Sequence, residues 1–218
     1  GVAQEFTFFV DKDSLAEDPT GLSWEDAYRM IQPAVDAASD AVNSTTPPLQ
    51  ASANVWIAEG RYDEERFLTE FNGEAEGNPR GALVLASNVS LLGGFKGNES
   101  SKTDRNPALH ETIIDGTKAL QGEPAITTVL AAGVTGARLD GVTIDGLGFG
   151  RGSSLQAAEV AFLGVVFKDI LGGNGVSGAV SVGDGSTAEF TDCQFLRNQR
   201  VSSGGAVLMS GDATFINC

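Results

Sequence analysis

Three aspartates, Asp115, Asp140 and Asp145, are the residues from which hydrolytic chemistry is most readily built. Glycoside hydrolysis needs two carboxyl groups roughly 5–9 Å apart, one as acid and the other as base or nucleophile. Each of the three aspartates is followed by glycine, and Asp-Gly is equally a common turn dipeptide. Elimination at a uronate would need a basic group for the proton and cations for the carboxylate. Arg138, Arg151, Lys168, Arg197 and Arg200 are the basic residues available from residue 119 onward, and they recur at no common interval. His110, the one histidine, lies beside a loop with no serine or cysteine partner in a recognisable motif. No catalytic residue is assigned on these grounds.

Other chemistry-bearing residues each admit two readings. Asp11 and Asp13, with Glu17 and Asp18 following, offer oxygen ligands for calcium, but the central glycine and terminal glutamate of a helix–loop–helix calcium loop are missing, so a solvated loop accounts for them as well. No other cofactor is indicated, because Gly172-Gly173-Asn174-Gly175 is not followed by the Lys-Ser/Thr of a phosphate loop. Cys193 and Cys218 are either a disulfide or two stacked thiols. Trp24, Trp56 and Tyr62 suit a sugar-stacking platform or a packed core. Asn43, Asn88 and Asn98 each open an Asn-X-Ser/Thr triplet, an N-glycosylation acceptor in a secreted eukaryotic protein.

The surrounding composition narrows the setting. A formal charge of −15 disfavours nucleic acid, anionic membranes and most anionic polysaccharides as partners. Apolar runs such as Ala157–Val166 are far shorter than the ~20 residues that cross a bilayer, and the chain start has no signal-peptide pattern. Glycine is abundant, 28 of 218 residues, and it punctuates a series of short apolar bursts.

The elements that must position these residues divide at about residue 53. In residues 1–53, Phe6–Val10 is aromatic and β-branched and reads as a strand. Ser23 ahead of Trp24-Glu25-Asp26 predicts a short helix over 24–30, and Pro33 opens a second over 33–42. From 54 to 218 the pattern repeats. Leu139–Ile144, Phe162–Phe167, Phe190–Phe195 and Phe215–Cys218 follow one another at intervals of 23, 28 and 25 residues. Gly178–Val182 and Gly205–Met209 repeat at 27. Such a period is that of a solenoid whose successive turns stack about 4.8 Å apart. Phe162, Phe190 and Phe215 would then form one column, Val142, Val165, Cys193 and Cys218 another, and Ile144, Phe167 and Phe195 a third, with Asn174 and Asn198 at corners.

Gly21–Ala27, Ile31–Ala38 and Leu91–Glu99, with Asp104–Pro107 and Thr112–Gly116, resemble the N-terminal segment of secreted right-handed parallel β-helix proteins. Phe195-Leu196-Arg197-Asn198 and Gly204-Gly205-Ala206-Val207 resemble the FxxN and GGA(I/V) repeats of polymorphic outer-membrane proteins. The resemblance implies an all-β fold, a right-handed parallel β-helix with a strand-plus-helices cap, continuing past Cys218. It also implies a secreted or cell-surface location. It brings no catalytic set with it. The expected function is a non-catalytic scaffold, an adhesin or assembly component that contacts a protein or glycan surface, with a subunit contact at the open C-terminal edge as a further option. The alternative is a carbohydrate-active enzyme, a polysaccharide lyase or glycoside hydrolase, with its site in loops or further coils. An enzyme should bring charged residues together in a groove, whereas a scaffold should show only corner hydrogen bonds.

Overall fold

The computed structural model describes residues 3–45, 51–66, 81–119, 124–146, 151–172, 178–200 and 205–218. The first part holds β1 (Gln4–Val10), α1 (Ile31–Asn43), β2 (Ala51–Ala58), β3 (Gly60–Tyr62), β4 (Leu83–Val84) and β5 (Val89–Phe95). The middle holds β6 (Thr112–Asp115), β7 (Thr127–Ala132), β8 (Ala137–Asp140), β9 (Val142–Asp145), β10 (Arg151–Gln156), β11 (Glu159–Leu163) and β12 (Val166–Lys168). The last part holds β13 (Leu171–Gly172), β14 (Val180–Val182), β15 (Thr187–Thr191), β16 (Gln194–Leu196), β17 (Gln199–Arg200), β18 (Val207–Met209) and β19 (Asp212–Ile216).

β1 and β2 pair in one sheet, from β2 onward successive strands go to different sheets, and strand pairing is parallel throughout. The first sheet has the order β1-β2-β5-β8-β11-β15-β19, the second β4-β7-β10-β14-β18 and the third β3-β6-β9-β12-β16, with β13-β17 as a small fourth. Each passage of the chain adds one strand to each sheet, so every sheet grows outward and ends on an edge. The expected all-β right-handed solenoid is corrected on this point. The described residues form three larger parallel sheets, none closed on itself, together with one α-helix, and they do not define a right-handed β-helix.

Register follows the apolar residues. Leu139, Phe162, Phe190 and Phe215 are direct cross-strand partners in the first sheet. The rings of Phe162, Phe190 and Phe215 stack nearly parallel at 4.9 and 4.8 Å. Ile144, Phe167 and Phe195 align in the third sheet, with the two rings 5.0 Å apart. Stacked aromatic pairs contribute roughly 0.5–1.5 kcal/mol each beyond the area they bury. Phe162, Phe167, Phe190 and Ile144, with Leu91, Ile114 and Leu139, belong to the continuous core between the sheets; Phe195 packs against it half-buried, and Phe215 on the last strand is exposed. A one-residue slip would turn every core side chain among them to the outside, which is why the register is firmly set.

The N-terminal region departs from the two helices expected there. Residues 24–30 are not helical. The Tyr28 N–H donates to Phe9 O at 3.0 Å and the Asp11 N–H to Tyr28 O at 2.8 Å, so the backbone there serves the edge of β1. The Asp26 carboxylate accepts the Thr20 N–H at 3.1 Å, a second competitor for a helical turn. The single helix starts at Ile31, and Pro33 occupies its first turn, where an N–H has no helical acceptor. Ile31, Ala34, Val35 and Ala38 make its buried stripe against β1 and β2. Gln32, 6% exposed, reaches the outer edge of the second sheet: its Oε1 accepts the Val84 N–H at 2.8 Å and its Nε2 donates to Val84 O at 3.2 Å. Among the described residues, no helix is long and apolar enough to cross a membrane.

Candidate functional site

Parallel pairing lines up outward-facing residues as well as inward-facing ones. On the first sheet, Asn54, Ser90 and Arg138 are successive cross-strand partners, and Leu92 pairs with Asp140 two positions along. The segment between β5 and β6 folds over these rows and adds Lys102, Thr103, Arg105 and Pro107. Together they line a cleft of about 460 Å³.

The covering segment is fastened at several points. Arg105 Nη1 donates to Gly93 O at 3.1 Å and Asp140 O at 3.2 Å, while Nη2 donates to Asp140 Oδ1 at 2.6 Å. The Asn106 N–H donates to Gly94 O at 2.7 Å. The Pro107 ring lies so close to Gly94 and Gly141 that a Cβ at either would stand 2.6 Å from it, and both glycines have φ in the left-handed range. Trp24 Nε1 donates to Glu99 O at 2.9 Å. The Glu99 carboxylate receives the N–H groups of Lys96, Gly97 and Asn98. Burial raises the Glu99 carboxyl, but these backbone donors outweigh it and hold it below the usual carboxylate range.

Asp140 is the pivot of the cleft. Its side chain is 6% exposed, and it accepts from Arg105 on one oxygen and from Arg138 Nη2 on the other. Arg138 Nε is buried and has no hydrogen-bond partner. At the rim, Glu5 accepts from Asn54 Nδ2 at 2.7 Å and faces Lys102 Nζ at 3.6 Å. Chemically, the cleft presents amide, hydroxyl and cationic donors in close quarters, with its one lining carboxylate already engaged.

Asp115 and Asp145 are together elsewhere. They are cross-strand partners in the third sheet, and Arg61 bridges them, donating through Nη2 to Asp145 Oδ2 at 2.8 Å and through Nη1 to Asp115 Oδ2. The two carboxylates are 4% and 3% exposed, against 40% for Arg61. Burial lowers the Arg61 pKa, but the hydrogen bonds it donates to Asp145 and Asp115, with their charges, outweigh it for a net rise. Asp145 Oδ1 is buried without a partner. Arg66, fully buried below, donates to Tyr62 O and to Asp115 O at 2.7 and 2.9 Å, and burial pushes its guanidinium down from its usual value. Glu111 continues the row, accepting from Lys168 at 3.1 Å and Thr143 at 3.0 Å. Two of the three predicted aspartates are therefore adjacent, but they are covered and bridged by one arginine. Asp140 stands apart from them, in the cleft.

The remaining candidates are placed as follows. Cys193 is buried and Cys218 exposed, both with free thiols. Each donates to the carbonyl of a stacked phenylalanine, Phe162 and Phe190, at 3.4 Å, and burial pushes the Cys193 thiol up to about 11. Asn43, Asn88 and Asn98 are exposed, Asn88 with φ of 58°. In the acidic loop, Asp13 is paired with Lys12, and Asp11 Oδ1 accepts the Asp13 N–H. Among the described residues no three acidic, histidine or cysteine side chains converge as metal ligands. His110 Nδ1 is 2.8 Å from Glu59 Oε2. Trp24, Trp56 and Phe95 pack with Phe9 and Leu92, and Tyr62 is buried, so the aromatic platform is part of the core. Arg197 pairs with Asp169, and Asn198 bridges to Ile170 and Phe167. Asn174 lies outside the described residues.

Lys102, Arg105 and Arg61 were not singled out from the sequence. The one available signal for Arg105 was its place in Asp104-Arg105-Asn106-Pro107, opposite the Gly93-Gly94 pair.

No family model matches the chain, and no curated protein matches it. Among solved structures, "a putative glycosyl hydrolase" from Parabacteroides merdae is similar to it with a TM-score of 0.49 and 14% identity, over 99% of this chain and 95% of that one. A likeness of that size carries no argument about activity.

Proposed function

We propose that the chain belongs to a carbohydrate-active enzyme whose site is the loop-covered cleft on the first sheet. One observation carries this reading: Arg138 and Asp140 of β8, Asn54 of β2, Ser90 of β5 and Lys102 and Arg105 of the covering segment converge on one cavity. A scaffold needs only corner hydrogen bonds and a smooth outer face. A row of donors in a cleft suits a ligand dense in hydroxyl groups. A secreted or cell-surface setting, where glycans are met, belongs to the same reading.

The test is a panel of oligosaccharides incubated with the protein, read for new reducing ends (hydrolysis) and for ultraviolet-absorbing unsaturated ends (elimination). Turnover of at least one substrate is expected, reduced at least tenfold by R138A with the melting temperature held within a few degrees. Absence of turnover across the panel, or full activity in R138A, would overturn the assignment and return the adhesin reading to first place.

A further inference from the structure

We infer that the cleft takes the carboxylate of an acidic sugar, with Arg138 and Lys102 as its receptors; this rests on the carbohydrate reading and adds the substrate class. The charges of the site do not balance without one. Lys102, Arg105 and Arg138 supply three cations, and Glu5 and Asp140 supply two carboxylates. One further carboxylate completes the count.

The hydrogen bonds say which arginine is available. Arg105 is spent on the fold, with Nη1 on two backbone carbonyls and Nη2 on Asp140. Arg138 makes one ion pair among the described residues, through Nη2 to Asp140 Oδ2, and its side chain is 42% exposed. Its buried Nε has no partner. A guanidinium carries five N–H donors in a planar fork that matches a carboxylate, so Arg138 keeps donors for a second anion. Lys102, 55% exposed and 3.6 Å from Glu5, is a loosely held cation on the opposite rim. Asn54, Ser90 and Thr103 in the same cleft suit the hydroxyls of the ring that bears the carboxylate.

The overall charge of −15 does not oppose this at close range. At physiological salt the Debye length is ~8 Å, so distant carboxylates are screened while the cleft cations act at contact. Net charge slows the approach of an acidic glycan, and local charge sets whether it stays.

The experiment is calorimetric titration of the protein with three galactose-type oligosaccharides: trigalacturonate, its methyl ester and neutral galactotriose. Trigalacturonate is expected to bind at least tenfold more tightly than the other two, with affinity falling as salt is raised. R138Q and K102Q should each bring the affinity for trigalacturonate down towards that of its methyl ester, with R138K as the variant that retains charge and fold. Equal affinity for the acid and its ester, or an unchanged preference in both Gln variants, would overturn the inference and leave the carbohydrate reading standing on neutral sugars. Binding of none of the three, with no turnover in the wider panel, would remove both.

Discussion

Two ion triads on different sheets of this chain are built in opposite proportion. On the first sheet, Arg105 and Arg138 share the single carboxylate of Asp140 beside an open cleft. On the third, Asp115 and Asp145 share the single guanidinium of Arg61, and both carboxylates are closed off from solvent. One triad leaves a surplus of donors, the other a surplus of acceptors. By sequence Asp115, Asp140 and Asp145 are alike, each as readily a turn residue as half of a hydrolase's carboxyl pair. Access and pairing separate them. Adjacent carboxylates covered by protein hold strands together, while unspent donors facing a cavity are available to a ligand.

Removing the shared partner of each triad tests the contrast, and the closed triad should suffer more. R61A leaves two covered carboxylates without a counterion and should cost about 3–5 kcal/mol in urea unfolding, nearer the lower figure because the Arg61 head is partly exposed. R61K should recover little of it, since an ammonium lacks the fork that reaches both aspartates. A cost below about 1 kcal/mol would show that the buried pair is solvated and break the comparison. D140N leaves two guanidinium groups facing each other, but Arg138 can turn to water, so about 1–3 kcal/mol is expected, with earlier proteolysis in the segment from 96 to 111. A larger loss than in R61A would invert the ranking.

The smallest effect is in acid. Glu99 and Glu111 both lie below the usual carboxylate range when folded: burial raises each, and hydrogen bonds, from backbone N–H groups for Glu99 and from Lys168 and Thr143 for Glu111, outweigh it. Their stabilisation is complete above the unfolded value of about 4.3 and is lost as pH falls through the lower folded value. Thermal melts between pH 6 and pH 3 should show that decline, and E99Q should flatten it at a cost under about 1 kcal/mol at neutral pH. An E99Q profile as steep as the parent's would mean that the carboxylate does not hold the covering segment.

The inner columns were legible in the sequence because pairing in parallel sheets repeats the same residue type at every passage, as from Phe162 to Phe190 to Phe215. The helix expected over 24–30 was not, because its capping signal is local while the Tyr28 backbone is taken by a strand distant in sequence. The fold class failed on what the repeat leaves undetermined: the interval gives neighbours, but not whether a sheet closes or which way the chain winds. Cleft chemistry was the least legible part. Arg105 meets Asp140 across 35 residues, from a segment that belongs to no repeat. The three Asp-Gly pairs looked alike on paper, and only their surroundings separate one beside a cavity from two under cover.

Gln32 has a role beyond tying a helix to a sheet. Its side-chain amide offers one acceptor and one donor to Val84, the same pair of bonds that a peptide group of a neighbouring strand would give. The helix thus presents a counterfeit strand one residue long at a border where foreign chains could otherwise zip on. Glutamate in that place would forfeit the donor and set a negative charge against a carbonyl. The damage would show less in the folded monomer than in its tendency to clump during refolding.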